Sequence, residues 1–586
     1  MESSDDELDE RLEMLPTHSV AWMPNVHSQT KPFSRCCTTR RRSSLLLSAA
    51  GIFAIAYFFW PGIAWPHRPI VPPKDISSPI HDPLWSNRSV SVKEAFLHAY
   101  GGYEKYTTFP DDELQPVSNS GQRNFNGWGV TTVDSLDTMW LMGLRPEFDR
   151  AIAQIATLDF AMNHEDHAPF FETVIRYLGG LLSAYALSGE PILLARADEL
   201  GSKLLPVFNS SSGLPHYAVN TETGKTADSS DRPGVMLLAE IASCQLEYKY
   251  LSHLTGKENY FSKAENVVNL MRDNQLANGM WDTKWDVHSG KQINNHVGVA
   301  AWADSAYEYV FKQYLLSNKS ETKLKDMFLK ATSGVIRNLL FLSPRRHLLY
   351  ISDLNNGVLT RKFEHLGCFF PGLLALAAST VDFPESERQL YMWAAEGLAH
   401  SCWIMYADQD SGLGPELARM DMWPGDWRKG RWIDHVEEWQ RAGRPGGKPP
   451  GVKDLAPPVK AGEKKDYFLE VGTYLSRPET LESMFVMWRT TRDVKWRNHG
   501  WSIWEAIEKR TRTSSGYASV HNVDQSDPYK IDSMPSYFLS ETIKYAYLLA
   551  IDEDVWPVDK FVFNTEAHPL PIFNWRDWEK RRFSIV

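Results

Sequence analysis

The chain has 586 residues, 62 Lys and Arg against 73 Asp and Glu, and a formal charge of −11. That balance excludes the basic footprint of a nucleic-acid-binding protein. A mean hydropathy of −0.37 excludes a polytopic membrane protein, and five cysteines exclude a disulfide-dense scaffold. At roughly 150 residues per domain the length allows about four domains, or one large barrel. Aromatic residues make up 12% of the chain; they pack cores, and their flat faces also stack on sugar rings.

Residues 2–13 are acidic, and residues 31–42 carry Lys31, Arg35, Arg40, Arg41 and Arg42 with no acid. Residues 43–65 then form an uncharged, apolar run. At about 1.5 Å per residue a helix of that length crosses a bilayer core of about 30 Å. A cleaved signal peptide would have a shorter apolar stretch nearer the start. The expectation is a signal anchor at 43–65, with a cytoplasmic tail at 1–42 because the basic cluster precedes the span. The remainder is then lumenal, a single-pass type II arrangement. Sequons at Asn87, Asn209 and Asn318 all follow the span. Cys36 and Cys37 fall on the cytoplasmic side, open to palmitoylation. Cys244, Cys368 and Cys402 fall on the side where disulfides persist, and three cannot all pair within one chain.

Residues 66–91 begin Pro-rich and read as a stem. From about 92 onward apolar residues recur at helical spacing, giving about fourteen segments with Gly, Pro, Asn or Asp between them. Strand signals are few; 348–351 and 560–563 are the best. No strict repeat is visible, so one large all-α toroid over 92–586 is expected rather than a solenoid. Residues 440–466, rich in Gly, Pro and Lys, read as an exposed loop insertion.

There is no P-loop, no Cys-x-x-Cys and no nucleophile elbow. His164-Glu-Asp-His167 lacks the spacing of a zinc helix and reads as a polar loop, and Gly127-Trp-Gly129 as a turn. Carboxylates are more informative. Glu172 and Arg176 stand at i,i+4, as do Asp304 and Glu308; Glu479 and Glu482 stand at i,i+3 behind Pro478. Each pair can share a helix face. Two like charges on one face need a compensating group, such as Arg477, a cation or a shared proton. Their neighbours are apolar and aromatic, an environment that separates carboxyl pKa values. Glycoside hydrolysis needs two such groups across the scissile bond.

These residues resemble the class I α-1,2-mannosidases, glycoside hydrolase family 47. The likeness runs from about 92 to 572 through an ordered set of motifs. They include Thr132-Val-Asp-Ser-Leu-Asp-Thr138, Phe171-Glu-Thr-Val-Ile-Arg176, Leu238-Ala-Glu240, Asp304-Ser305, His365-Leu-Gly-Cys-Phe-Phe-Pro-Gly372, Gly412-Leu-Gly-Pro-Glu416, Arg477-Pro-Glu-Thr-Leu-Glu-Ser483, Glu541-Thr-Ile-Lys-Tyr545 and Phe563-Asn-Thr-Glu-Ala-His-Pro569. The resemblance implies an (α/α)7 barrel with minor β-hairpins. It implies calcium-dependent, inverting hydrolysis of α-1,2-linked mannose on high-mannose N-glycans in the endoplasmic reticulum or Golgi. Glu172 and Asp304 match proposed acids, Glu479 the proposed base and Glu416 a further catalytic acid. Arg176, His365, Arg477 and Tyr537 match pocket residues. Thr565 matches the calcium ligand, and Glu240, Glu482, Glu541 and Glu566 match acids around the ion. Cys368 and Cys402 match a disulfide, leaving Cys244 free.

Several positions depart from the family pattern: Trp302 replaces a branch-selecting Arg, Ala306 an aromatic, Pro535 an acid and Tyr537 a Phe. The alternative they raise is a mannose-binding quality-control factor with weak or no turnover.

Overall fold

The computed structural model describes residues 82–459 and 462–585. The expected cytoplasmic tail, the expected membrane anchor at 43–65 and most of the expected stem lie outside the described residues. Among the described residues no helix is long and apolar enough to cross a membrane.

Fourteen helices build the wall among the described residues, alternating between an outer and an inner ring. In chain order they are α1 (Pro83–Tyr106), α2 (Leu136–Leu141), α3 (Arg145–Ile155), α4 (Gly179–Ser188), α5 (Pro191–Leu204), α6 (Gln245–Thr255) and α7 (Glu258–Asp273). Then follow α8 (Asp304–Leu316), α9 (Thr322–Asn338), α10 (Phe370–Thr380), α11 (Glu385–Ala407), α12 (Glu479–Thr491), α13 (Val494–Thr511) and α14 (Ile543–Ala550). Each even-numbered helix packs on its odd-numbered successor, and neighbouring even-numbered helices touch around the ring. The exception closes the circle: α14 takes α1 as its outer partner. Seven inner and seven outer helices therefore form the toroid.

The two rings differ in sequence as their surroundings demand. The outer α9 buries Leu324, Met327, Phe328, Ala331 and Val335, a single stripe at helical spacing. The inner α8 is buried from Ser305 to Leu316 on every side. Gly189 and Gly256 take left-handed conformations, φ 76° and 73°, and stop α4 and α6 where a Cβ would strain the turn. The wall starts before residue 92. Asp82 caps α1 by accepting from the Leu84 N–H at 2.9 Å, and Pro83 opens the first turn. A proline that reads as stem composition is here a helix-starting residue.

Short antiparallel hairpins fill the connections. Those used below are β1 (Val235–Leu237), β2 (Lys284–Asp286), β3 (Lys362–Glu364), β4 (Leu417–Met420), β5 (Tyr467–Val471), β6 (Phe561–Phe563) and β7 (Pro569–Pro571). β1 pairs with β2, β4 lies between β3 and β5, and β6 pairs with β7. The β6–β7 hairpin plugs the barrel. The Phe573 N–H bonds Leu316 O at the C-terminal end of α8, whereas the hairpin turn at Thr565 meets Tyr309 midway along it. The plug thus runs from the C-terminal end of α8 toward its middle.

The 440–466 stretch is pinned rather than free where it is described. Val452 is buried, the Trp432 indole N–H donates to Pro450 O at 2.9 Å, and Lys448 pairs with Glu396 at 2.6 Å. Its Gly and Pro content marks irregular backbone, but that backbone is laid over the helices.

Candidate active site

The chemistry collects at the N-terminal ends of inner helices, where unpaired backbone N–H groups favour negative charge. Glu172 precedes a π-helical turn, Thr173–Leu178, that leads into α4. Asp304 is the first residue of α8 and Glu479 the first of α12. Glu541 lies in a second π-helical turn, Phe538–Thr542, ahead of α14. Such turns widen the helix by one residue and recur at functional sites.

Glu479 is the best-defined group. Its Oε2 lies 2.7 Å from His365 Nδ1, and His365 Nε2 lies 2.6 Å from the Tyr406 hydroxyl. Burial alone would raise the Glu479 pKa, but the hydrogen bond and charge of His365, with the Arg477 guanidinium, hold it below the usual carboxylate range. An ionised carboxylate only accepts hydrogen bonds, so Nδ1 carries a proton and donates it to Glu479, while Nε2 stands within hydrogen-bond distance of the Tyr406 hydroxyl. Arg477 sits 3.9 Å from Glu479 and donates from Nε to Glu416 Oε2 at 2.6 Å. The other Glu416 oxygen is buried with no hydrogen-bond partner. Glu416 is set by strand ends: its N–H bonds Thr473 O and its carbonyl accepts from the His365 N–H.

Asp304 behaves in the opposite way. Burial pushes its carboxyl up to about 7, against the Ser305 N–H at 2.8 Å and with the repulsion of Glu479. One side chain is thus an anion and its neighbour retains a proton near neutrality, the separation an acid–base pair needs.

Beneath them lies a floor of carboxyl groups. Arg176 bonds Glu172 at 2.9 Å and also pairs with Glu566, and it lies 5.5 Å from the Tyr537 ring centroid. Lys312 pairs with Glu308 and lies 3.8 Å from Glu482. These cations do not balance the floor. Burial, outweighing the Lys312 charge and aided by Glu308 and Glu479, carries Glu482 up to about 8. Burial followed by mutual repulsion raises Glu541 well above its ordinary value, and burial raises Glu566 against the pull of Arg176.

The structure brings Glu172, Arg176, Asp304, His365, Glu416, Arg477, Glu479, Glu482, Tyr537, Glu541 and Glu566 into one connected cluster. Tyr537 is anchored by its hydroxyl donating to Leu475 O at 2.6 Å. Thr565 is half-buried on the plug turn, with its backbone bonded to the Tyr309 hydroxyl. Glu240 is differently placed: Arg232 grips both of its oxygens, at 2.7 and 2.6 Å, and the Leu237 N–H donates to it at 2.9 Å. Glu308 faces Lys312 rather than completing a pair with Asp304, and that i,i+4 spacing was there to be read. Tyr406 and Arg232 carried no local signal. Cys368 and Cys402 are disulfide-bonded, fastening the turn after His365 to α11, while Cys244 is free and buried. His164 lies exposed in the turn closed by the Asp166 N–H on Asn163 O, and His167 follows it. Among the described residues no three His, Cys, Asp or Glu side chains converge to hold a metal ion. An ion here would draw on hydroxyl, carbonyl and water oxygens, the donors a hard cation prefers.

A seven-pair helical barrel that gathers carboxyl groups of separated pKa at the ends of its inner helices defines a helical-barrel glycosidase. The model of glycosyl hydrolase family 47 matches residues 95–572. The chain belongs to that family. It is 38% identical over 496 residues to the endoplasmic reticulum mannosyl-oligosaccharide 1,2-alpha-mannosidase of Mus musculus, covering 83% of this chain and 68% of that one. It is 34% identical over 496 residues to mannosyl-oligosaccharide alpha-1,2-mannosidase IA of Drosophila melanogaster, covering 84% and 68%. Among solved structures it is similar to an alpha-1,2-mannosidase from Trichoderma reesei, with 30% identity, TM-score 0.72 and coverage of 83% and 99%.

Proposed function

We propose that this chain is a calcium-dependent, inverting α-1,2-mannosidase that trims high-mannose N-glycans in the secretory pathway. The observation that carries the reading is Glu479 held by His365 at 2.7 Å and Arg477 at 3.9 Å, with the Asp304 carboxyl, raised to about 7 by burial, close enough to feel its charge. Glu479, oriented by His365 and Arg477, takes a proton from the attacking water. Water adds to the anomeric carbon opposite the departing oxygen, and that oxygen receives a proton. Asp304 is the favoured donor because it still carries its proton near neutrality. Glu172 is the alternative, delivering through a water, and Glu416 holds Arg477 in place. The product of an α-linked substrate is then β-mannose.

The floor supports a divalent cation. Three carboxyl groups there are displaced upward, which a cation would relieve. The Thr565 hydroxyl and carbonyl oxygens are the direct ligands in this reading, with Glu482, Glu541 and Glu566 around the waters. Glu240, held by Arg232, fits that outer group least well. When bound, calcium supplies positive charge and oxygen coordination for waters and sugar hydroxyls. A type II anchor at 43–65 and a place in the endoplasmic reticulum or Golgi membrane complete the proposal.

The test is incubation of the full chain with Man9GlcNAc2, with calcium or with a chelator, following released mannose and its anomer by NMR. Release of β-mannose in calcium, abolished by the chelator, is expected. Glycan binding without release, or α-mannose as the first product, would overturn the reading.

A further inference from the structure

Behind Glu479 runs a chain of side chains that ends on an outer helix. Glu479 Oε2 lies 2.7 Å from His365 Nδ1, and the opposite ring nitrogen lies 2.6 Å from the Tyr406 hydroxyl. Thr480 Oγ1 also faces that nitrogen, at the longer distance of 3.4 Å. Tyr406 is 2% exposed and meets the carboxylate only through the imidazole. Its phenol keeps its proton, because burial and then the charges of Glu479 and Glu416 push its pKa well above the ordinary value. The hydroxyl therefore always has both a proton and a lone pair to offer Nε2. Three features seat it. Cys402 stands one turn before Tyr406 on α11 and is bonded to Cys368, three residues beyond His365. A Cβ on Gly414 would come within 2.5 Å of the Tyr406 ring, so the ring occupies room that a glycine leaves. Gly414 in turn lies two residues before Glu416, whose carbonyl accepts from the His365 N–H at 2.9 Å. The segments that hold His365 are thus the segments that hold Tyr406.

We propose that Tyr406 is a positioning residue for the base: by holding Nε2 of His365 it keeps the Nδ1–H aimed at Glu479, and so keeps the carboxylate oriented for the attacking water. The proposal deepens the glycosidase reading above and rests on it. A group that must meet its partner within a narrow angle needs a second contact to stop it turning. An imidazole bonded at one nitrogen can still rock about its side-chain torsions, whereas one bonded at both cannot. Glu479 also feels Arg477, 3.9 Å away, and the carboxyl groups of Asp304, Glu482 and Glu541. The contribution of Tyr406 is separated from theirs by measuring it with and without the carboxylate.

The test introduces Tyr406→Phe, which removes only the hydroxyl and keeps the ring, into the full chain and into the full chain carrying Glu479→Gln. Turnover of Man9GlcNAc2 is followed in calcium. With Glu479 present, Tyr406→Phe is expected to lower kcat about two- to twelvefold, the worth of one hydrogen bond, with KM at the wild-type value. In Glu479→Gln, where no base is left to orient, the same change is expected to cost no further activity. A wild-type kcat, a raised KM, or equal losses in the two backgrounds would overturn the proposal. A second readout needs no turnover. In the chain labelled with 15N-histidine, the His365 Nδ1–H signal is identified by its absence from His365→Gln. It is expected to exchange slowly with water in wild type and fast in Tyr406→Phe, and equal exchange in the two would overturn the proposal. If wild type releases no mannose, the glycosidase reading fails, and the exchange measurement alone decides whether Tyr406 holds His365.

Discussion

Two buried polar clusters lie against the plug turn, and they are built on opposite principles. In one, His568 sits between Asp134 and Asp137 at 3.0 and 2.8 Å, and the Lys544 ammonium lies 2.7 Å from Asp137 and donates to Ala567 O. Burial would raise Asp137, but Lys544 and His568 hold it below its ordinary value, and His568 in turn is pushed up to about 9 by those aspartates against its own burial. Charges there are matched. In the floor, Glu482, Glu541 and Glu566 are all displaced upward. Depth is similar, so burial does not separate structure from site. Charge balance does: the matched cluster holds the plug, and the unmatched one is where the proposed cation would sit.

The contrast can be broken or sharpened by experiment. Glu479→Gln should lower kcat on Man9GlcNAc2 by roughly 10²–10⁴-fold, the usual worth of a general base, with an unchanged melting temperature. A rate near wild type would remove Glu479 from the chemistry. Lys544→Met should cost about 3–5 kcal/mol in denaturant unfolding, because it strands buried carboxylate charge. Calcium at about a hundredfold above its Kd should add about 2.7 kcal/mol of stability, reversed by chelator. Absence of any shift in the melt would leave the floor without its cation. The rate should also fall above neutrality as Asp304 loses its proton near 7. At pH 8 the protonated share is about a tenth, so a flat profile to pH 9 would exclude Asp304 as donor. Asp304→Asn and Glu172→Gln then show which carboxyl owns that limb. Glu541→Gln in chelator should change stability least, by under about 1 kcal/mol, since it removes a repelled carboxyl rather than a paired one. A loss as large as that of Lys544→Met would erase the distinction between the clusters.

Much of the wall was legible because helical periodicity is local. The α9 stripe of Leu324, Phe328, Ala331 and Val335 announces itself in seventeen residues. The motif residues were legible by resemblance, and the i,i+4 pair of Glu172 and Arg176 holds as spaced. What stayed hidden depends on closure of the ring. Tyr406, on α11, reaches His365 across 41 residues. Arg232 grips Glu240 from eight residues upstream, and nothing in Leu238-Ala-Glu240 announces it. The left-handed backbone at Trp302 has no glycine or asparagine to mark it. Pro83 carried the right signal and was read as stem because its neighbours are prolines too.

The pairing of α14 with α1 fixes an order of assembly. A chain emerging from the ribosome makes its first outer helix early, but that helix has no inner partner until α14 follows some 440 residues later, a separation that makes closure slow. The plug comes later still. Until β6 and β7 arrive, His568 cannot meet Asp134 and Asp137, and Arg176 lacks Glu566. A nascent fragment carrying Glu172, Asp304 and Glu479, the residues proposed to do the chemistry, therefore lacks the enclosure that raises the Asp304 carboxyl.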